Sequence, residues 1–288
     1  MKHNFPIFAS LNPKQLSYMD YSILVLDLDG TLTNSKKEIS AANRNALLRA
    51  QQQGMTLVLA SGRPTYGIAP LANQLQMDRF GGYILSYNGG EIIDWSTQQT
   101  LYAQVLPDEV VPVLYQCAKQ HDVALLSYDG RYIATEDPDD RYVRHEAFLN
   151  KMQVRRCQNF LEEVPRPLPK CLIVGEPARL VEVEAELSLA LQGIISVYRS
   201  EPFFLELVPP GIDKAQSLAV LLRHIGTSRE KMVAIGDGYN DVSMIEFAGL
   251  GVAMANAQEP VRKAADRVTL SNDEDGVAAI VNELFLDV

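Results

Sequence analysis

Cysteine is scarce in this chain, and the three cysteines that occur are widely spaced. Cys117, Cys157 and Cys171 form no CxxC pair, and their odd number argues against a disulfide framework. The four histidines show neither HxxxH nor HExxH spacing, which are common signatures of zinc centres. The sequence therefore predicts neither a disulfide-stabilised scaffold nor a zinc site.

Long apolar runs and an excess of basic residues are also lacking. No stretch of 18 apolar residues occurs, and the apolar positions near the N-terminus are too broken for a signal-peptide core. There are 26 lysine and arginine residues against 36 acidic ones, a formal net charge of −10. Because nucleic-acid-binding domains carry basic surfaces, nucleic acid is not expected as a partner. The lack of a long apolar run likewise argues against a membrane as partner. We expect a cytoplasmic protein.

The overall composition is typical of a folded protein. The 288 residues are 47% hydrophobic and 22% charged, which favours one large domain or two unequal ones. Residues 1–18 show no clear periodicity, so they form either a loose extension or a segment upstream of a native start at Met19. The oligomeric state is open, with a monomer or a weak dimer as the expectations.

The first part of the chain alternates buried strands with helices. Residues 22–26 form an apolar run that predicts a strand buried on both faces, and a helix is predicted over 40–53. A second apolar run at 56–60 leads into a helix at Pro64. The same alternation returns after Asp213. This pattern predicts a Rossmann-like, doubly wound parallel sheet, in which ligands bind beyond the carboxyl ends of the strands.

The middle of the chain has a different pattern. Two helices are predicted there, and Asp129-Gly130 separates two apolar runs in the manner of a β-hairpin. We interpret residues 89–199 as an inserted α+β cap domain. The flanking segments, 1–88 and 200–288, are predicted to form one discontinuous α/β core.

Acidic residues follow the first buried strand. Asp27 and Asp29 come directly after it with Gly30 next, and a bend there can turn alternate side chains into one pocket. One carboxylate can attack phosphorus to form an acyl phosphate, while a second protonates the leaving oxygen and later deprotonates water. Two acidic residues at a strand end can also form a solvated turn, but the full Asp-Leu-Asp-Gly-Thr run favours a catalytic role.

A second acidic turn follows a later apolar strand. Gly236-Asp237 and Asn240-Asp241 place oxygen ligands beside glycines. Because Mg²⁺ typically takes one or two carboxylates together with substrate phosphate, Asp27 and Asp237 would meet its needs. The alternative is an Asx-rich turn that caps the helix after Asn240.

Two further polar positions stand at helix N-termini. The Ser61 hydroxyl and the following backbone amides can hold phosphate oxygens, although Ser-Gly-Arg is also an ordinary turn. Lys214 falls in the first turn of a helix, where the helix dipole disfavours a positive charge, which indicates an anion nearby. Its removal is expected to leave stability unchanged or slightly increased.

Together these motifs resemble those of the haloacid dehalogenase superfamily. Its four motifs are matched in order by Asp27-Leu28-Asp29-Gly30-Thr31, Ser61, Lys214, and Gly236-Asp237 with Asn240-Asp241. The insertion between Ser61 and Lys214 is similar to that of the Cof-type phosphatases with an α/β cap, class IIB. The resemblance covers nearly all of the chain from about residue 20 onward.

The resemblance implies a role for each motif residue. Asp27 is expected to be the nucleophile and Asp29 the acid/base, with Mg²⁺ held by the Asp27 and Asp237 carboxylates and by the Asp29 main-chain carbonyl. Phosphate is expected to be held by Leu28 (through its amide), Ser61, Gly62, Lys214 and Asn240. Asp241 matches an acid outside the direct metal ligands that orients metal-bound water or Lys214.

The activity implied is that of a Mg²⁺-dependent phosphatase acting through a phosphoaspartate on a small phosphorylated metabolite, with a sugar phosphate or related phosphomonoester expected. A phosphomutase of the same superfamily is one alternative, because it also keeps both aspartates. A non-catalytic sensor of phosphorylated metabolites is the alternative from another class, and Asp29 argues against it. Five cap residues can face a substrate, although surface charge is the favoured interpretation of each: Arg131, Tyr132, Arg141, Arg144 and His145.

Overall fold

The computed structural model describes residues 21–286. The predicted loose extension at 1–18 and the alternative start at Met19 lie outside the described residues. By its internal contacts the chain divides into two compact units, residues 1–57 with 226–288 and residues 58–225. The division falls inside the strand Thr56–Ala60.

Strands and helices alternate along most of the described chain. Strands β1 to β14 are, in order, Ile23–Leu26, Thr56–Ala60, Gly82–Ser86, Glu91–Asp94, Gln99–Ala103, Ala124–Asp129, Tyr132–Thr135, Gln153–Arg156, Cys171–Val174, Ser196–Glu201, Phe204–Val208, Met232–Gly236, Leu250–Ala253 and Arg267–Val268. Helices α1 to α11 are Ala41–Gln52, Thr65–Gln74, Met77–Phe80, Val110–Gln120, Arg141–Asn150, Phe160–Glu163, Pro177–Ala190, Lys214–Ile225, Val242–Phe247, Glu259–Ala264 and Gly276–Leu284.

The first unit contains a parallel sheet. Its strand order is β14-β13-β12-β1, and every pairing is parallel, with Val25 opposite Ala234. Strands β1, β12 and β13 are apolar and buried along their whole length, as expected for strands covered on both faces. Strand β2 begins beside β1, where the Thr56 amide donates to Ser22 O at 2.9 Å. The predicted parallel α/β sheet is confirmed.

The predicted N-terminus of helix α1 is confirmed. Ser40 is the N-cap, and its hydroxyl accepts a hydrogen bond from the Asn43 amide at 3.0 Å. The helix ends at Gln52, and Gly54 follows with a φ of +95°. On its buried side, Asn43 Oδ1 accepts from the Ala278 amide at 2.8 Å, which ties α1 to α11.

The second unit contains two strand systems. After β2, strands β3, β4 and β5 pair antiparallel in sequence order. A separate six-stranded sheet has the order β10-β11-β9-β6-β7-β8, antiparallel except between β7 and β8. Asp129 pairs with Tyr132, so the predicted hairpin is confirmed.

The central strands of the six-stranded sheet, β11, β9 and β6, are largely apolar on both faces, with alternate residues facing opposite sides. One face, with Leu125, Ile173 and Leu207, packs in the same core as helices α4 and α7. The opposite face, with Leu126 and Leu172, packs against α5. This sheet and the helices on its two faces, α4, α5 and α7, together form the α+β module, in which the sheet is the middle layer.

Some elements and boundaries differ from the sequence interpretation. The pattern did not indicate the β4–β5 hairpin, helix α5 or strand β8, because their apolar positions are few and interrupted by charges. Strand β11 belongs to the six-stranded sheet although it lies beyond residue 199. The predicted boundaries between the core and the cap, after residues 88 and 199, remain predictions. Within residues 21–286, none of the helices has the length and apolar character needed to cross a membrane.

Candidate active site

The chain bends sharply after β1. The Asp27 amide donates to Ile235 O at 3.0 Å, which continues the pairing with β12. One residue on, Leu28 O accepts from both the amide and the hydroxyl of Thr33, each at 2.9 Å. This loop closes upon itself, so the Asp27 side chain, only 6% exposed, is held at the carboxyl end of the sheet.

Three carboxylates converge in the first unit. Oxygens of Asp27, Asp237 and Asp241 all lie within 4.8 Å of one another. Asp27 and Asp241 are buried and Asp237 is half-buried, and the Thr31 hydroxyl donates to Asp237 Oδ1 at 2.8 Å. Like charges this close repel in a poorly solvated site, so a bound cation would stabilise all three.

Gly30 leaves room for the Asp237 carboxylate. A Cβ at this position would lie 2.3 Å from Asp237 Oδ2, and the residue has a φ of +83°. Both observations require glycine here, because a side chain would collide and would be strained. The Gly30 carbonyl accepts from Asn256 Nδ2 at 2.8 Å, which fixes the loop.

Asp241 organises the turn that carries Asp237. Its Oδ2 accepts hydrogen bonds from the amides of Asp237 and Gly238, both at 2.9 Å. The residue is 0% exposed. A Cβ at Gly236 would lie 2.5 Å from Asp241 Cβ, so the preceding strand end is closely packed on it. With one oxygen engaged by the turn, Asp241 is suited to a positioning role.

Asp29 lies apart from the three converging carboxylates. Its Oδ1 accepts from Lys37 Nζ at 2.8 Å, and its side chain is 39% exposed. No sequence pattern indicated Lys37, because it lies eight residues on in a loop without periodicity. A solvent-accessible carboxylate next to a lysine can exchange protons with water and substrate.

Ser61 and Gly62 begin the loop after β2 in the second unit. Ser61 is 3% exposed, and its hydroxyl accepts from the Arg63 amide at 3.2 Å. The Asn88 amide donates to Ser61 O at 2.8 Å, and its side chain lies 3.3 Å from where a Gly62 Cβ would be. Asn88 has a φ of +58°, which is uncommon outside glycine and is often found at functional sites.

Lys214 is buried against the same strand end. It is 1% exposed, and its Nζ donates to Ala60 O, directly before Ser61, at 2.8 Å. Asp213 caps the helix, accepting from the Ala215 amide at 2.8 Å. An ordinary surface lysine does not fit this burial. Contrary to the expectation from the sequence, removal of Lys214 should lower the stability of the protein. The structure therefore brings Lys214 and Ser61 together.

The remaining predicted phosphate ligands differ in exposure. Leu28 is 0% exposed, so only its backbone is suited to contact a ligand. Asn240 is exposed, and its Oδ1 lies 2.7 Å from where a Gly238 Cβ would be. Glycine at 238 therefore leaves space for the Asn240 amide group.

Two of the cap arginines are surface charges, as the sequence favoured. Arg141 pairs with Glu176, and Arg144 pairs with Asp139 at 2.5 Å. Their side chains are 67% and 63% exposed. His145 is exposed as well, and its ring lies 5.7 Å from that of Phe203.

The α+β module also contains a buried polar network that the sequence did not indicate. Lys170 Nζ pairs with Glu206 at 2.6 Å, and both side chains are about nine-tenths buried, with exposures of 7% and 11%. Nearby, Glu146 Oε1 accepts from the Tyr128 hydroxyl at 2.6 Å and from Asn150 Nδ2 at 2.8 Å. Burial raises the pKa of Glu146, partly opposed by the Lys170 charge. Ion pairs and hydrogen bonds must offset the desolvation cost of charges buried in this way.

The cluster of Asp27, Asp237 and Asp241 fits a magnesium ion. It offers hard oxygen donors, its members lie within 4.8 Å, and the space beside Asp237 is kept open by Gly30. Asp27 and Asp237 would hold the ion, and Asp241 would fix the turn behind them.

Comparisons with known proteins show the family to which the chain belongs. The family of haloacid dehalogenase-like hydrolases matches residues 24–281. A Bacillus subtilis (strain 168) relative, 5-amino-6-(5-phospho-D-ribitylamino)uracil phosphatase YcsE, is 28% identical over 268 residues, covering 93% of this chain and 97% of its own.

Two solved structures extend the likeness. A haloacid dehalogenase-like hydrolase from Bacteroides thetaiotaomicron is 63% identical with a TM-score of 0.90, covering 92% of this chain and 100% of that one. The sugar phosphatase BT4131, of HAD subclass IIB, is 25% identical with a TM-score of 0.75 and covers 91% and 98%. The similarity therefore spans both units.

Proposed function

Since this chain belongs to the haloacid dehalogenase-like hydrolases and is a phosphatase of that family, we propose that it is a Mg²⁺-dependent enzyme that forms a phosphoaspartate on Asp27. Its substrate is a small phosphorylated metabolite, a sugar phosphate or related phosphomonoester. The observation that carries the proposal is the convergence of Asp27, Asp237 and Asp241 at the carboxyl ends of parallel strands.

Two steps follow from the residues. Asp27 attacks phosphorus in line with the leaving oxygen, and Asp29 donates the proton that this oxygen needs. Asp29 then takes a proton from a water molecule that hydrolyses the aspartyl phosphate. The Asp29 side chain is 39% exposed, so water can reach it between the steps.

Charge balance decides whether a dianionic substrate can approach Asp27. The phosphate and the carboxylates of Asp27 and Asp237 together carry four negative charges. Mg²⁺, when bound, supplies two positive charges and polarises the phosphate, and Lys214 supplies a third. Helix N-termini and backbone amides offset the remainder.

Phosphate binding is assigned to residues of known family motifs. We propose the Leu28 amide, Ser61, Gly62, Lys214 and Asn240 as the ligands of the phosphate oxygens. The buried ammonium of Lys214 donates to Ala60 O, directly before the buried Ser61 at the end of β2, and this supports the assignment. The net charge of −10 supports a small-molecule partner rather than nucleic acid, and a cytoplasmic location is proposed with it.

A phosphate-release assay tests the proposal. Purified protein is given a panel of phosphorylated sugars, nucleotides and cofactor precursors, with Mg²⁺ or with EDTA, and the Asp27→Asn variant is compared with Asp78→Asn, which alters an exposed aspartate. We expect Mg²⁺-dependent turnover that Asp27→Asn abolishes and Asp78→Asn retains. Activity that survives EDTA contradicts the metal assignment, a requirement for a bisphosphate activator indicates a mutase, and binding without turnover indicates a sensor.

A further inference from the structure

A second group of potential ligands lies in the α+β module, where the phosphatase chemistry does not use it. Cys117 lies on α4 and His121 is its C-cap residue, four positions later, while Glu186 comes from α7. One ligand atom of each residue, the thiol sulfur, an imidazole nitrogen and a carboxylate oxygen, lies within 4.8 Å of the others. Sulfur, imidazole and carboxylate donors are those used by zinc in proteins.

We propose that Cys117, His121 and Glu186 bind a divalent transition-metal ion of zinc type, which links helix α4 to helix α7. No sequence pattern indicated this group of three residues, because Glu186 lies 65 residues after His121. The only local signal was the i, i+4 spacing of Cys117 and His121, which places both on one helical face.

The present geometry is close to what coordination needs. His121 Nε2 and Glu186 Oε2 are 2.8 Å apart and share a hydrogen bond. Ligand bonds of about 2.0–2.3 Å put the donors of a tetrahedral zinc ion roughly 3.3–3.8 Å apart. Small rotations of two partly exposed side chains therefore suffice to admit the ion.

Proton and charge balance are consistent with the site. Burial, with help from the Glu186 charge, raises the pKa of the Cys117 thiol to about 12, so the metal-free protein keeps it protonated. A bound ion displaces the thiol proton. The resulting thiolate and carboxylate carry two negative charges, which match a divalent cation.

Packing fixes one side of the site and leaves the other open. Cys117 is 3% exposed and belongs to the core between the sheet and the two helices. The side chains of His121 and Glu186 are 21% and 47% exposed, which gives the ion an entry path and a fourth position for water. Arg179 donates to His121 O at 2.8 Å and so holds the end of the helix.

The two metal sites differ in the kind of ion they favour. The carboxylate group around Asp27 offers only oxygen, which suits Mg²⁺. The thiolate and imidazole of the second site favour softer, borderline ions such as Zn²⁺ and Co²⁺. Only the second site can give a thiolate-to-cobalt charge-transfer band, so the two can be distinguished by absorption.

Cobalt titration of the full-length, reduced protein in excess Mg²⁺ tests the inference. We expect a near-ultraviolet thiolate-to-cobalt band that saturates at one equivalent and disappears when Zn²⁺ is added. Cys117→Ser should abolish the band, and His121→Gln and Glu186→Gln, which alter partly exposed side chains, should weaken Co²⁺ binding at least about tenfold.

Matched variants separate this result from other causes. Cys157→Ser alters another buried cysteine of the same core and should keep the band. Asp27→Asn should also keep it, so that a failure of the phosphatase proposal leaves this test unaffected. A wild-type protein without a thiolate band at saturating Co²⁺, or full-strength binding in both His121→Gln and Glu186→Gln, would overturn the site.

Discussion

Asp29 is the residue on which the proposed reaction depends for its protons. It must donate one to the leaving oxygen and later accept one from water, and general acid catalysis contributes about 10²–10⁴ in rate. An aryl phosphate expels a weakly basic oxygen that scarcely needs protonation, whereas a sugar alkoxide needs it. The cost of losing Asp29 should therefore vary with the leaving group.

We expect Asp29→Asn to lose at least about tenfold more phosphorylation rate on a sugar phosphate than on p-nitrophenyl phosphate. Water attack is slowed too, so the aryl ester should give a burst of nitrophenol followed by slow turnover. Rapid-quench kinetics on both substrates measures this. Equal defects on the two substrates, or the absence of any trapped phosphoenzyme, would show that Asp29 is not the proton carrier.

Lys214 combines a proposed binding role with a structural one. Its ammonium is buried and bonded to Ala60 O, so its loss should affect both phosphate binding and folding. We expect Lys214→Met to reduce turnover strongly and to lower the free energy of unfolding by about 1–3 kcal/mol, because a buried carbonyl loses a donor. Lys214→Ala should lower it further by leaving a cavity.

Activity assays and urea unfolding measure the two effects separately. Lys263→Met, which alters a lysine whose side chain is 74% exposed, is the control and should change neither quantity measurably. Near-normal catalysis in Lys214→Met, together with reduced stability, would leave the lysine with a structural role alone.

At the scale of an element, the loop after β1 depends on a glycine for its shape. Gly30 and Gly54 both have positive φ, +83° and +95°, but a Cβ would collide only at Gly30, since nothing lies within 4 Å at Gly54. Comparing alanine at these two positions separates backbone strain from displacement of Asp237.

We expect Gly54→Ala to cost about 1–2 kcal/mol of stability through strain and to leave the Mg²⁺ dependence unchanged. Gly30→Ala should add a loss of Mg²⁺ affinity of about tenfold or more, because the Asp237 carboxylate must move. Activity titrated against Mg²⁺, with thermal unfolding alongside, gives both numbers. Equal Mg²⁺ dependence in the two variants would show that the collision is relieved without moving Asp237.

At the scale of the whole molecule, the buried network around Glu146 should make stability depend on pH. Burial raises the pKa of Glu146 above its ordinary value of 4.5, so the folded protein holds this proton more tightly than the unfolded chain. The stability that this tighter proton binding contributes is complete below the pKa that Glu146 has in the unfolded chain. It is lost as pH rises through the pKa that Glu146 has in the folded protein. Lys170 and Glu206 share the network and oppose each other in charge.

Glu146→Gln should remove the loss of stability that Glu146 causes as pH rises, because the glutamine amide stays neutral. We expect the unfolding free energy of the variant to improve relative to wild type as pH rises from about 4.5 to 8. Urea unfolding at several pH values measures it, with Glu182→Gln, at an exposed glutamate, as control. A constant difference between wild type and Glu146→Gln over this range would mean that Glu146 ionises alike in both states.

The sequence alone determined the parallel sheet of the first unit and the position of Asp27 and Asp237 at strand ends. These features are local: an apolar run followed by an acid and a glycine specifies a buried strand and the turn after it. Parallel strands then end at the same edge, which predicts that their loops meet. The hairpin at Asp129-Gly130 was predictable for the same reason, because a short turn is encoded in adjacent residues.

Only the tertiary structure decided which distant side chains meet. Lys214 is buried because α8 packs its first turn against the end of β2, 154 residues earlier in the chain. Lys170 and Glu206 meet through the pairing of neighbouring strands, and His121 and Glu186 through the packing of two helices. Hydrophobic periodicity tells which face of each element is buried, but partners across that face depend on how the elements pack, which no local pattern encodes.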